Sequence, residues 1–268
     1  MIAAQYPGFT FYFTDIDTLD LRDKEALRSF VVDNCIDYII NCAAYTAVDK
    51  AEDDAELCYA INSEAVANLA EAASGKARII HVSTDYVFSG SVNKPLEETD
   101  PTEPQSVYGR SKLEGEQRLM QIAPESIIIR TAWLYSSFGN NFVKTMIRLG
   151  SERESVNVVC DQHGTPTYAA DLASAIMNMV VQSEEYPFLA GIYHYSNEGE
   201  AISWAEFAAK IMELKKLDCQ VVPIPTSAYP TKAQRPMYSL LDKTKLKQTF
   251  SIDIPQWEES LERCINKL

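Results

Sequence analysis

The sequence contains no G-x-G-x-x-G and nothing close to one. Its ten glycines stand at 8, 75, 90, 109, 115, 139, 150, 164, 191 and 199, no two nearer than six positions. A dinucleotide-binding sheet places such a cluster at its first strand-to-helix turn, where missing side chains let backbone N–H groups approach a pyrophosphate. That turn is expected to be absent here. No run approaches the ~20 consecutive apolar residues of a membrane span. The opening MIAAQYPG has neither the basic nor the apolar region of a signal peptide, so a soluble, cytoplasmic protein is expected. Six cysteines, Cys35, Cys42, Cys58, Cys160, Cys219 and Cys264, form no C-x-x-C pair, which argues against zinc ribbons and redox motifs and for reduced thiols in apolar surroundings. The three histidines, His81, His163 and His194, lack metal-ligand spacing, and no metal site is assigned. Positive charge is also scarce: 24 Lys and Arg face 38 Asp and Glu, a net charge of −14. That balance argues against nucleic-acid binding, which needs clustered cations. It still allows one anionic small ligand, because local donors outweigh charges beyond a Debye length of ~8 Å.

What is present is globular: 268 residues, 46% hydrophobic and 23% charged, enough for one large domain or slightly more. Continuous runs of β-forming, largely apolar residues at Phe9 to Thr14, Tyr38 to Ala43, Arg78 to Ser83 and Ile127 to Thr131 read as parallel strands covered on both faces. Helical patterns at Lys24 to Asp33, Glu56 to Ala73, Gln105 to Ile122 and Asn141 to Leu149 alternate with them. The fold class that follows is α/β, a doubly wound parallel sheet of Rossmann type. After Gly150 the rhythm loosens into a run Val156 to Cys160, a helix Ala169 to Val181, a strand Gly191 to Tyr195, a helix Ser203 to Leu214 and a Pro-rich stretch to Pro236. We read residues 1–151 plus 169–196 as a dinucleotide-binding domain and 152–168 plus 197–268 as a smaller α+β substrate domain.

Met1 to Gly8 reads as the last turn of a helix running into a Pro-Gly stop, with a strand directly after it. The chain is thus expected to enter the fold in mid-element, without the usual first strand and glycine loop. The expectation is a longer form carrying about 20 further residues, one strand, one loop and part of a helix. The alternative is a genuine short form that has lost cofactor binding. In this topology the first strand is central, so its absence exposes the backbone groups of its neighbours.

The chemistry centres on VYGRSKLEGE, where Tyr108 and Lys112 stand four apart on one helix face. A neighbouring ammonium is expected to stabilise tyrosinate, lower the phenol pKa and make Tyr108 a better proton donor. The spacing alone is weak: 14 tyrosines and 14 lysines in 268 residues give about 0.7 such pairs by chance. Context strengthens it. The run Arg78 to Phe88 ends in Ser83, Thr84 and Asp85, and ligands of open α/β sheets bind beyond the carboxyl ends of their strands. Thr84 is then placed to hydrogen-bond the oxygen that Tyr108 protonates, with Asp85 beside it on the substrate. Trp133 offers an aromatic plane, and Arg235 a planar fork suited either to a phosphate or to a surface salt bridge.

STDYVFSG (83–90) followed by YGRSKLEGE (108–116) resembles the dTDP-4-dehydrorhamnose reductase family, within the extended short-chain dehydrogenases. NCAAYTAVDKAE (41–52), RTAWLY (130–135), GNNFVKTMIRL (139–149), DQHGTPT (161–167) and TKAQRPMYSLLD (231–242) are similar to its segments in the same order. The resemblance implies hydride transfer from NADPH or NADH to the C4 ketone of a dTDP-linked deoxysugar. It implies Thr84, Tyr108 and Lys112 as the catalytic three and Trp133 against the sugar. It also implies Asp20, Leu21, Ala44, Tyr45 and Thr46, together with Tyr108 and Lys112, along the cofactor. A homodimer, sometimes with a divalent ion such as Mg2+ between subunits, is a further implication of the family. Two other readings share parts of the pattern: a non-catalytic subunit like the regulatory subunit of methionine adenosyltransferase, and a nucleotide-sugar epimerase or dehydratase.

Overall fold

Residues 2–268 are described by a computed structural model. The terminal helical turn expected before Gly8 is present as Ile2–Gln5, while Met1 lies outside the described residues. The main elements that follow are α1 (Lys24–Asp33), β1 (Tyr38–Asn41), α2 (Ala55–Tyr59), a π-helical turn (Ala60–Glu64), α3 (Ala65–Ala73), β2 (Arg78–Thr84), α4 (Val107–Ile122) and β3 (Ile127–Thr131). Then come α5 (Phe142–Glu152), β4 (Ser155–Val159), α6 (Ala169–Glu185), β5 (Gly191–Tyr195), α7 (Trp204–Lys215), β6 (Gln220–Ile224), α8 (Thr244–Phe250) and α9 (Trp257–Ile265).

Four strands form one parallel sheet in the order β1-β2-β3-β5. Successive strand residues point to opposite faces, and here both faces are covered. Ile79 and Ile128 pack under Val66 and Ala70 of α3 and Leu119 of α4. Ile80, Ile127 and Ile129 pack on the other face under Leu172, Ile176 and Val180 of α6, joined by Leu246 and Phe250 of α8. This is the doubly wound α/β arrangement read from the sequence. A second core gathers Val143 and Met146 of α5, Val156 and Val158 of β4, Phe207 and Ile211 of α7 and Leu261 of α9. There β4 pairs in parallel with β6.

The expected strand at Phe9 to Thr14 is not formed. Phe9 and Phe11 rest against the α6-side core, but Phe13 is 74% exposed, and no ladder joins the segment to the sheet. A strand needs a hydrogen-bonded neighbour as well as β-forming residues. Among the described residues β1 is paired only to β2 and stands at the sheet edge.

Candidate active site

The carboxyl end of β2 supplies Ser83 and Thr84, and the chain turns there into a single 3-10 turn, Asp85–Val87, capped by Thr84 Oγ1, which accepts from Tyr86 N at 3.2 Å. Helix α4 begins after Ser106, whose hydroxyl accepts from Gly109 N at 3.1 Å, while Val107 N donates to Glu52 Oε1 at 2.8 Å. That polar N-cap is the local reason the helix starts at Val107 rather than at Gln105. Two glycines then set its depth. A Cβ on Gly109 would come within 2.3 Å of Tyr86 O, and one on Gly115 within 2.1 Å of Asn62 O. The helix therefore lies directly on backbone at both points, with Tyr108 buried just before the first and Lys112 buried between the two.

The interior of this arrangement is low in dielectric, and that decides its electrostatics. Burial raises the Tyr108 phenol above its ordinary value, a hydrogen bond with Thr84 opposes the shift, and the charge of Asp85 adds to it. The expectation that Lys112 lowers the phenol pKa is not met. Its amine turns away, donating to Val82 O at 2.8 Å and facing His81 Nε2 at 3.3 Å. Burial brings Lys112 itself down to about 8, with Glu116 opposing. Asp85 is pushed up to about 6, again chiefly by burial. Its Oδ1 accepts from Thr84 Oγ1 at 3.1 Å, while Oδ2 is buried without a partner. Beneath the helix Glu116 takes Arg130 in a two-pronged ion pair, 2.7 Å at its shortest, and Ser83 Oγ donates to its Oε1 at 2.5 Å.

The segment after β1 comes to the same place. Tyr45 packs in one apolar cluster with Tyr86 and Tyr108, whose rings meet edge-on at 5.4 Å. Its backbone is gripped on both sides by Asn62, which accepts from Tyr45 N at 2.8 Å and donates to Tyr45 O at 3.1 Å. Asn62 Nδ2 also reaches Ser111 Oγ at 3.0 Å, tying this segment to α4. Asn62 went unread in the sequence; the signal lies in the π-turn around it, a feature frequent at functional sites but without a sequence mark of its own. Ala44 and Thr46 flank the gripped tyrosine, Thr46 being exposed. Asp20 and Leu21 are not drawn into this cluster. Asp20 is held by Arg22 at 2.6 Å, which lowers its pKa, and Leu21 packs beside Leu27 and Leu69.

Trp133, expected from the sequence to meet the substrate, has φ +50°, a left-handed conformation rarely adopted by a bulky side chain. Its ring stacks on Trp204, centroids 3.6 Å apart, and a Cβ on Gly164 would stand 3.2 Å from it and 2.7 Å from Ser239 Oγ. Ser239 is buried, and its hydroxyl is among the groups that restrain the upward shift of Asp85. It lies inside TKAQRPMYSLLD but was not singled out there. Arg235 is not a free fork: both its terminal nitrogens bind Asp49, at 3.1 and 2.7 Å, and Lys232 pairs with Asp53. The reason is proximity of opposite charge, since Asp49 follows the Tyr45 segment and also accepts from Ala233 N at 3.1 Å. Among the described residues no group of three or more His, Cys, Asp or Glu side chains is placed to hold a metal ion, and no helix is long and apolar enough to cross a membrane.

The family model described as the RmlD substrate binding domain matches residues 2–268. A curated relative, the dTDP-4-dehydrorhamnose reductase of Sinorhizobium fredii, is 45% identical over 253 residues, covering 92% of this chain and 85% of the relative. The crystal structure of a dTDP-4-dehydrorhamnose reductase from Clostridium acetobutylicum superposes with a TM-score of 0.92 at 40% identity, over 99% of this chain and 93% of that one. One from Bacillus anthracis, solved in complex with NADP, gives 0.91 at 38% identity, over 100% and 95%. With Thr84, Tyr108 and Lys112 gathered at the sheet's carboxyl end and likeness extending over nearly the whole sequence, this chain belongs to the dTDP-4-dehydrorhamnose reductase family.

Proposed function

We propose that the chain reduces the C4 ketone of dTDP-4-dehydro-L-rhamnose to dTDP-L-rhamnose, in the cytoplasm and as a homodimer, for rhamnose-containing cell-surface polysaccharide. The observation that carries this reading is the burial of Tyr108 beside Thr84, with Lys112 one turn along the same helix. NADPH or NADH supplies the hydride when bound. The residues present fit the nicotinamide end of such a cofactor: Asn41 lies opposite His81 in the β1–β2 register, so the exposed backbone after β1 runs beside Tyr108 and Lys112. Ala44, Tyr45 and Thr46 would hold it there, with Lys112 at the ribose and Asp20 and Leu21 further along.

Hydride addition leaves negative charge on the carbonyl oxygen, and the site needs donors in a dry pocket to meet it. Tyr108 supplies the proton. Its raised pKa keeps the phenol protonated at neutral pH, as a reductase requires. Thr84 supplies a second hydrogen by turning its hydroxyl from Asp85 to the substrate oxygen. Trp133, fixed by Trp204 and Gly164, covers the sugar face. In place of a direct phosphate contact, Arg235 joins the substrate-side segment to Asp49. The division into 1–151 plus 169–196 and 152–168 plus 197–268 belongs to the same proposal, with α5 packing on the second core and α8 on the sheet.

The test is NADPH consumption with dTDP-4-dehydro-L-rhamnose. Tyr108→Phe is expected to lower turnover by ~10² or more, the scale of general acid catalysis, while nucleotide-sugar binding stays nearly intact. Unchanged turnover removes Tyr108 from the mechanism. Light scattering checks the dimer.

A further inference from the structure

Behind Lys112 runs a chain of buried hydrogen bonds that the reduction itself does not require. Asn41, at the end of β1, has its amide orientation fixed: Oδ1 accepts from Ala43 N at 3.1 Å, so Nδ2 is the group facing His81 Nδ1 at 3.0 Å. An amide nitrogen only donates, and His81 Nδ1 must therefore accept. His81 is fully buried, and burial together with the neighbouring Lys112 holds it well below the usual histidine range, so the ring is neutral. A neutral imidazole carries one hydrogen, and with Nδ1 accepting, that hydrogen is on Nε2. Nε2 faces Lys112 Nζ at 3.3 Å.

Against an ammonium this contact would set donor against donor. Against a neutral amine it is a hydrogen bond into the lysine's lone pair, and the amine keeps a hydrogen for Val82 O. We propose that His81 is a positioning residue for Lys112, its Nε2–H aimed by Asn41 at the lysine's lone pair, so that Lys112 serves as an exchangeable proton carrier rather than a fixed cation. This rests on the reading of Lys112 as an active-site residue.

The other groups facing Lys112 frame the effect. Glu116, one turn along α4, favours the ammonium but is already committed to Arg130. Cys42, exposed after β1, and Cys58, buried on α2, would favour it only as thiolates, and desolvation pushes both thiols up. Of the neighbours that bear on Lys112, His81 thus presents a hydrogen where the others are anions or neutral thiols. A proton lost by Tyr108 to substrate must be replaced, and a lysine able to change protonation state can take part in that replacement.

The experiment is nuclear magnetic resonance of the full chain with 15N-labelled histidine and 13C-labelled lysine. There are three histidines to assign. The expected spectrum shows His81 neutral, with hydrogen on Nε2 and a bare Nδ1, at alkaline pH where Lys112 is the neutral amine. In His81→Phe the Lys112 titration is expected to move up by about one pH unit, the scale of one hydrogen bond, and His81→Gln, which keeps an N–H donor, to bring it most of the way back. Hydrogen on Nδ1 in the unaltered chain, or an unmoved Lys112 titration in a folded His81→Phe, overturns the proposal. Should His81→Phe fail to fold, Asn41→Asp serves: a side chain that only accepts must drive hydrogen onto Nδ1, and a tautomer that stays put overturns the proposal equally. Neither readout uses substrate. Loss of reductase activity with the expected spectra counts against the proposed function alone, and normal turnover with the wrong tautomer against this inference alone.

Discussion

Two ion pairs hold the two sides of the site, and they differ in almost every respect. Glu116–Arg130 lies beneath the active-site helix with both side chains 3% exposed and Ser83 completing the carboxylate. Asp49–Arg235 spans from the Tyr45 segment to the substrate side with side chains 42% and 25% exposed. A buried pair stripped of one partner leaves an uncompensated charge in the interior, whereas water and salt readily replace an exposed one. The first pair therefore fixes the α4 scaffold. The second is a link that ionic strength can weaken.

The comparison breaks hardest at Glu116. Glu116→Ala, which strands Arg130, is expected to destabilise by ~3–5 kcal/mol in chemical denaturation; a loss below about 1 kcal/mol, typical of an exposed pair, would erase the contrast. A third carboxylate sharpens it from the opposite direction. Asp85 is buried with no cation, and its folded pKa, about 6, lies above the unfolded value. A carboxyl shifted upward binds protons better when folded, so its contribution to stability falls as pH rises from about 4 through 6. Asp85→Asn is expected to gain on the order of 2 kcal/mol at pH 8 and almost nothing at pH 4, read from melting curves at both. A gain equal at the two pH values would refute the burial argument. The smallest effect belongs to Asp49→Asn, about 0.5 kcal/mol at low ionic strength and less in salt. Denaturation at two salt concentrations checks it, and a large, salt-independent loss would make this pair part of the fixed scaffold.

How far the sequence reached follows from what each feature depends on. Runs such as Ile127–Thr131 and Gly191–Tyr195 announce themselves because strands covered on both faces are apolar throughout. Phe9 to Thr14, also built of β-forming residues, forms no strand, because pairing belongs to the neighbour as much as to the run. Helices α8 and α9 were unread: TKLKQTF is short and lysine-rich, and its burial of Leu246 and Phe250 is decided by the sheet it lands on. In the site, the spacing of Tyr108 and Lys112 was legible because it is local. The direction of the Lys112 amine was not, since Val82 O and His81 approach from another element. For Arg235 a phosphate and a salt bridge are both open readings of the sequence, and Asp49 cannot be named as the partner there because it is 186 residues away.

The paired glycines of α4 bear on how this scaffold changes over time. With Gly109 seated on Tyr86 and Gly115 on Asn62, the helix has no room to slide, rotate or accept even a methyl group at either point. Under the proposed site assignment, new sugar preferences arise by drift in the loops carrying Trp133 and Ser239, while Tyr108 stays at a fixed reference position. For anyone redesigning the specificity of this enzyme, those loops are the adjustable part and the helix is the datum from which to measure.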